Sequence, residues 1–128
     1  MAKDLHFLVE KGKLADQECQ AILDRVRPAE KLEDLKTAGL VIEAVIENLE
    51  VKRDLFRRLE ALLGPEAILA TNTSSISVTA VAAGLARPER VVGLHFFNPA
   101  PRMALVEVVS GLATDPALVD DLVDTARA

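Results

Sequence analysis

The chain has 128 residues, 50% of them apolar, enough for one globular domain with a sizeable buried core. Its formal charge of -5, from 20 acidic and 15 basic residues, comes without a basic block or an aromatic-interleaved basic patch, which argues against nucleic acid and anionic membranes as partners. No apolar run approaches the roughly 20 residues of a membrane span, and charges interrupt MAKDLHFLVEKGK where a secretory signal needs an unbroken apolar centre, so the expected location is the cytoplasm.

Residues 2 to 26 read as a helical hairpin. Leu5, Leu8 and Val9 repeat at helical spacing, Lys11-Gly12-Lys13 punctuates, and Ala21, Ile22, Leu23 and Val26 form a second stripe. Cys19, the single cysteine, can form no internal disulfide and has no partner at zinc-ligand spacing, so no metal is expected and it reads as a small buried or half-buried hydrophobe. RVRPAE (25–30) could hold a short strand limited by Pro28, and KLEDLKTAG (31–39) a short helix closed by Gly39. LVIEAV (40–45) is a nearly continuous apolar run, which suits a strand covered on both faces.

Asn48 is placed as an N-cap for a helix whose apolar face is Val51, Leu55, Phe56, Leu59, Leu62 and Leu63, ended by Gly64-Pro65. AILAT (67–71) reads as a strand, SVTAVAAGL (77–85) as a helix, and VVGLHF (91–96) and ALVEVV (104–109) as two more strands. Asp115-Pro116 starts a final helix. The alternation predicts an α/β fold, a Rossmann-like doubly wound sheet, mostly parallel with an antiparallel C-terminal hairpin and preceded by the helical hairpin. The predicted organisation is one domain over 1–128, with the hairpin at 1–26 and the sheet portion at 27–128.

In open α/β sheets, ligands gather beyond the carboxyl ends of the strands. Glu47-Asn48, Asn72-Thr73-Ser74-Ser75 and His95-Phe96-Phe97-Asn98 stand there. Parallel neighbouring strands would bring them to one rim, with a carboxylate, hydroxyls, amides and an imidazole over one cleft.

The link between 91–96 and 104–109 is too short for a parallel crossover and long enough for a hairpin. Folded symmetrically about Pro101, that hairpin pairs residues whose numbers sum to 202, which would set His95 opposite Glu107, whereas a bulge in the Pro-rich turn would shift the register by one. Directly opposed side chains have Cβ atoms roughly 4.5–5.5 Å apart, within reach of an imidazole–carboxylate hydrogen bond. A His held in this way has its tautomer fixed and its proton affinity raised, as a general base near neutral pH requires. Each residue alone has a plainer reading. His95 could be a satisfied structural residue, Ser74 or Ser75 a helix cap, Asn98 a turn former before Pro99, and Glu47 a solvated first-turn residue. Glu107 in an apolar strand is harder to set aside, because a lone buried carboxylate is costly.

Together, VIEAVIENLEVKRDLF, ILATNTSSISVTAVA and RPERVVGLHFFNPAPRMALVEVVSG resemble the second half of the nucleotide-binding domain of the 3-hydroxyacyl-CoA dehydrogenase family, the bacterial 3-hydroxybutyryl-CoA dehydrogenases among its members. The resemblance covers nearly the whole chain. It implies an NAD-dependent oxidoreductase of fatty-acid β-oxidation that converts the 3-hydroxyl of a short-chain 3-hydroxyacyl-CoA to a ketone. By the same resemblance His95 is the catalytic base, Glu107 the carboxylate that orients it, and Ser74 a hydrogen-bonding residue near substrate and nicotinamide ribose. Glu47 and Lys52 match cofactor-contacting positions, Asn98 the asparagine beside the nicotinamide, and Lys11 the lysine placed against CoA phosphates. Gly39 stands where the family usually has Asp, and Arg102 where it usually has a small apolar residue.

A dinucleotide-binding domain is expected to open with a strand and a G-x-G-x-x-G turn that holds pyrophosphate at a helix N-terminus. The six glycines, at 12, 39, 64, 84, 93 and 111, form no G-x-G. The expectation is therefore a fragment, lacking the family's first βαβ unit and its C-terminal helical domain, inactive alone and weak or silent toward NAD. An unpaired edge at 40–45 predicts a homo-oligomer. A non-catalytic binding or assembly module of the same fold, and a dehydrogenase acting on another β-hydroxyacid, are the rival readings.

Overall fold

The computed structural model describes residues 2–100 and 102–127. The chain divides into two compact units, Met1–Glu30 and Lys31–Ala128. In the first, the punctuated stripes form helices α1 (Ala2–Glu10) and α2 (Asp16–Asp24). Gly12, at φ 65°, makes the turn between them and donates its backbone N–H to the Val9 carbonyl at 2.9 Å. Cys19 is buried.

The second unit is a four-stranded sheet with helices on both faces. Its strands are β1 (Leu40–Glu43), β2 (Ile68–Thr71), β3 (Val91–Phe96) and β4 (Val106–Ser110), in spatial order β1-β2-β3-β4. The first three are parallel neighbours, and β4 runs antiparallel to β3. Helices α3 (Leu49–Leu62) and α4 (Val78–Ala82) lie in the crossovers, and α5 (Pro116–Arg127) follows β4. Asn48 caps α3 as expected, its Oδ1 accepting from the backbone N–H of Glu50 at 3.0 Å and of Val51 at 3.1 Å, an interaction worth about 1 kcal/mol.

Side chains alternate between the two faces of the sheet, which divides the core into two layers. On one face Leu69 and Val91 pack with Phe56, Leu59, Val78 and Val81 of α3 and α4. On the other, Ala70, Val92 and Leu94 pack with Leu122 of α5. Fully burying a Phe or Leu stabilises by about 1.5–3 kcal/mol, so these layers hold the strand ends in fixed relation.

Four expectations need correction. Residues 25–30 form no strand: Pro28 lacks an N–H and no neighbouring strand offers a ladder. The helix expected over 31–39 shrinks to a 3-10 turn at Leu32–Leu35. Residues 104 and 105 precede β4. The strand at 40–45 ends at Glu43 and is not covered on both faces, because Ile42 remains 43% exposed; among the described residues its outer edge is unpaired as well.

Candidate active site

The parallel register sets the rim. Glu43 stands opposite Thr71 and Thr71 opposite Gly93, while His95 is two residues further along β3 on the same face. In the hairpin His95 is paired with Glu107 and Gly93 with Val109. Glu43, Thr71, His95 and Glu107 therefore share the face carrying α3 and α4.

His95 is held at both ring nitrogens. Nδ1 lies 2.9 Å from Glu107 Oε2 and Nε2 3.1 Å from Ser74 Oγ. A carboxylate can only accept, so Nδ1 carries the hydrogen, Nε2 is the basic nitrogen, and Ser74 Oγ donates to it. Phe97 packs beside the imidazole, with ring centroids 4.8 Å apart. The backbone N–H of Phe96 donates to Asn72 Oδ1 at 2.8 Å, tying the end of β3 to the residue after β2. A cleft opens beside His95 and Glu107, lined also by Ser74, Ser75, Ser77 and Thr79.

Glu47 organises the turn that carries Ser74. Its Oε1 accepts from Thr73 Oγ1, from the backbone N–H of Ser74 at 3.2 Å and Ser75 at 3.1 Å, and from Ser75 Oγ at 3.1 Å. These bonds, the Thr73 hydroxyl first, hold its carboxyl down to about 2 from an ordinary 4.5, against an opposing contribution from partial burial. Glu47 is thus an organised acceptor rather than a solvated first-turn residue. Neither Ser74 nor Ser75 caps α4. That role falls to Ser77, whose Oγ accepts from the Ala80 N–H at 3.4 Å.

Lys52 lies beneath this rim, 1% exposed. Its Nζ donates to Glu43 Oε1 at 2.7 Å, and lies 3.4 Å from the Val45 carbonyl and 3.3 Å from Glu47 Oε2. Three hydrogens thus meet three acceptors, so Lys52 acts on the rim through Glu47 rather than as an open cation. Asn98 is exposed at the cis Asn98–Pro99 peptide. Lys11 belongs to the N-terminal unit, its Nζ 5.5 Å from the Phe7 ring centroid. Glu43 was not singled out from the sequence. The argument made for Glu107, that a buried carboxylate in an apolar strand demands a partner, applies instead to Glu43, because Glu43 is 3% exposed while the Glu107 side chain is 52% exposed and not buried.

The family model for the 3-hydroxyacyl-CoA dehydrogenase NAD-binding domain matches residues 1–128. The chain belongs to that family. It is 53% identical over 118 residues to a 3-hydroxyadipyl-CoA dehydrogenase of Escherichia coli K12, covering 92% of this chain and 25% of the relative. It is 43% identical over 125 residues to a 3-hydroxybutyryl-CoA dehydrogenase of Clostridioides difficile, covering 98% and 44%. The crystal structure of an E. coli 3-hydroxybutyryl-CoA dehydrogenase superposes with a TM-score of 0.96 at 50% identity, over 98% of this chain and 27% of that one. The (S)-3-hydroxybutyryl-CoA dehydrogenase of Ralstonia eutropha gives 0.93 at 37% identity, over 98% and 44%. The chain thus spans between a quarter and a half of the length of these relatives. Its partial Rossmann-like sheet is the family's fold, and NAD is the cofactor that the family's domain binds. Among the described residues, no helix is long and apolar enough to cross a membrane.

Proposed function

We propose that this domain contributes the reacting end of an NAD-dependent dehydrogenase that oxidises the 3-hydroxyl of a short-chain 3-hydroxyacyl-CoA to a 3-ketone. The observation that carries the reading is the Ser74–His95–Glu107 line, with His95 bonded at both nitrogens. His95 Nε2 is the general base. It takes the hydroxyl proton while the C3–H bond breaks and its electron pair leaves with the hydrogen as hydride, so that C3–O becomes a carbonyl. Bound NAD supplies the hydride acceptor. Glu107 keeps Nδ1 protonated and stabilises the imidazolium that forms. Nε2 has one lone pair, so Ser74 Oγ gives up its bond there when the substrate hydroxyl donates to Nε2, and turns its own hydrogen to the substrate oxygen.

The residues at the rim fit the cofactor's nicotinamide half. Ser74 and Asn98 are polar groups at the carboxyl ends of β2 and β3, where such sheets receive dinucleotides. Glu47, with Lys52 behind it, supplies the acceptor for a ribose hydroxyl. Residues 1–128 contain no G-x-G turn, so we infer that they do not bind pyrophosphate or turn over substrate by themselves. Lys11, exposed after α1, is our candidate for CoA phosphates. For assembly, we read the edge of β1 away from β2 as the strand through which two copies pair, supported by exposed Ile42 on it and exposed Val45 and Ile46 in the loop that follows.

The test is a chimera in which residues 1–128 replace the matching segment of the C. difficile 3-hydroxybutyryl-CoA dehydrogenase. We expect NAD-dependent oxidation of 3-hydroxybutyryl-CoA, lost in the His95→Gln chimera. Oxidation of the free hydroxyacid but not the thioester would favour another β-hydroxyacid as substrate. NAD binding without oxidation of either would favour a binding module.

A further inference from the structure

We propose that Glu43 is a positioning residue for the candidate site. It fixes Lys52, Lys52 fixes Glu47, and Glu47 holds the 73–75 turn that presents Ser74 Oγ to His95.

Glu43 is 3% exposed and lies on the core side of the rim. Both of its carboxylate oxygens are engaged. Oε1 accepts from Lys52 Nζ at 2.7 Å and from the Val45 N–H at 2.6 Å, and Oε2 accepts from Thr71 Oγ1 at 2.7 Å. The carboxylate is clamped from its own loop, from the neighbouring strand and from α3. It cannot rotate without leaving a buried charge unpaired, which is strongly unfavourable.

From that anchor the bonds run outward in one direction. Lys52 is shared between the fixed carboxylate of Glu43 and the rim carboxylate of Glu47, whose Oε2 lies 3.3 Å from Nζ. Glu47 divides its oxygens: Oε2 faces Lys52, and Oε1 gathers the hydroxyls and backbone N–H groups of residues 73–75. Ser74 belongs to that turn, and its Oγ reaches His95 Nε2. Glu47 precedes the N-cap of α3 and its side chain is 41% exposed, so two contacts hold it, the 73–75 turn at Oε1 and Lys52 at Oε2. The inward pull of Lys52 sets which oxygen faces the turn.

A buried ion pair is a weak source of net stability compared with apolar packing of the same volume. What Glu43–Lys52 supplies here is a fixed cation, placed where a flexible lysine on the surface would wander. Removing the charge of Glu43 leaves Glu47, among the described residues, as the carboxylate for the ammonium. Lys52 then draws Glu47 inward, and the 73–75 turn loses its common acceptor.

This inference rests on reading Ser74 and His95 as the reacting pair, yet its test needs no turnover. The full chain is labelled with ¹⁵N and its spectra recorded without ligand, the His95 ring signals being separated from those of His6 with a His6→Gln variant. In Glu43→Gln we expect the backbone amide signals of Ser74 and Ser75 and the Nε2 signal of His95 to shift. Thr71→Val, close in size, removes one clamp bond and should shift the same signals in the same direction by less. Leu122→Ala, which opens the layer beneath α5 on the opposite face, should leave them in place. If Glu43→Gln does not fold, Thr71→Val decides alone. Unmoved Ser74, Ser75 and His95 signals in the folded variants overturn the proposal, as does an equal shift in Leu122→Ala. A chimera that stays active with His95→Gln would overturn the catalytic reading instead, leaving these spectra as they are.

Discussion

His95 Nδ1 and Glu107 Oε2 meet at 2.9 Å across the β3–β4 ribbon, twelve residues apart in sequence and directly opposite in register. The pairing makes Nε2 the basic nitrogen. Glu107→Gln keeps the shape but lets an amide N–H face Nδ1, which favours the wrong tautomer. In the chimera we expect kcat to fall by roughly 10²–10⁴-fold, in line with the orienting carboxylate of a catalytic triad. KM for the acyl-CoA should change far less, and steady-state kinetics separate the two.

Acid should loosen the rim through Glu47. Its folded carboxyl is held at about 2 against an ordinary 4.5, so its stabilising contribution is complete above about 4.5 and is lost as pH falls toward about 2. The stability difference between wild type and Glu47→Gln should therefore be largest near neutral pH and shrink across that window. Urea midpoints of both proteins at a series of pH values measure it. A constant difference would mean that Glu47 is not held by the Thr73–Ser75 turn.

Gly93 marks a close approach. A Cβ there would lie 2.9 Å from Val109 Cβ, 3.0 Å from Val78 Cγ2 and 3.3 Å from the Val109 carbonyl oxygen. The β4 backbone cannot retreat cheaply, so Gly93→Ala should destabilise by about 1–3 kcal/mol. Gly64, with nothing within 4 Å of its added Cβ, is the control whose Ala variant should cost less. Denaturant midpoints compare the two.

The free edge of β1 should make association depend on concentration. Ile42→Lys places a charge on the exposed edge strand, a device that blocks strand pairing, and should shift the chain toward monomer. Sedimentation velocity over a concentration series reads this out. A monomer throughout for the wild-type chain would remove the proposed interface.

NAD binding by residues 1–128 alone should be weak or undetectable by calorimetry, because a dinucleotide owes much of its hold to backbone N–H groups of a glycine-rich turn at a helix N-terminus. Micromolar affinity would mean that the rim residues suffice.

Much of this arrangement was legible because it is local. The apolar run at 91–96, the short Pro-rich link and the second run at 104–109 imply a hairpin, and symmetric folding without a bulge sets His95 opposite Glu107, the register the structure has. Asn48 before an apolar helical stripe declares its own cap. What was not legible depended on neighbours. Residues 25–30 read as a possible strand, but among the described residues no strand lies alongside to form a ladder with them. Family resemblance marks Lys52 only as a cofactor-contacting position, because its nearness to Glu43 arises only when the start of α3 folds back over the end of β1.

Sequence alone therefore determined the four strands of the sheet, their alternation with helices from residue 40 onward and the residues at the strand ends, since side-chain period and turn chemistry act over a few positions. The tertiary structure alone decided that Thr71, Glu43, Lys52 and Glu47 form one continuous line of hydrogen bonds and charge contacts beneath Ser74. Burial is what gives that line its consequence: a carboxylate removed from water must keep its partners, and keeping them fixes where the rim can be.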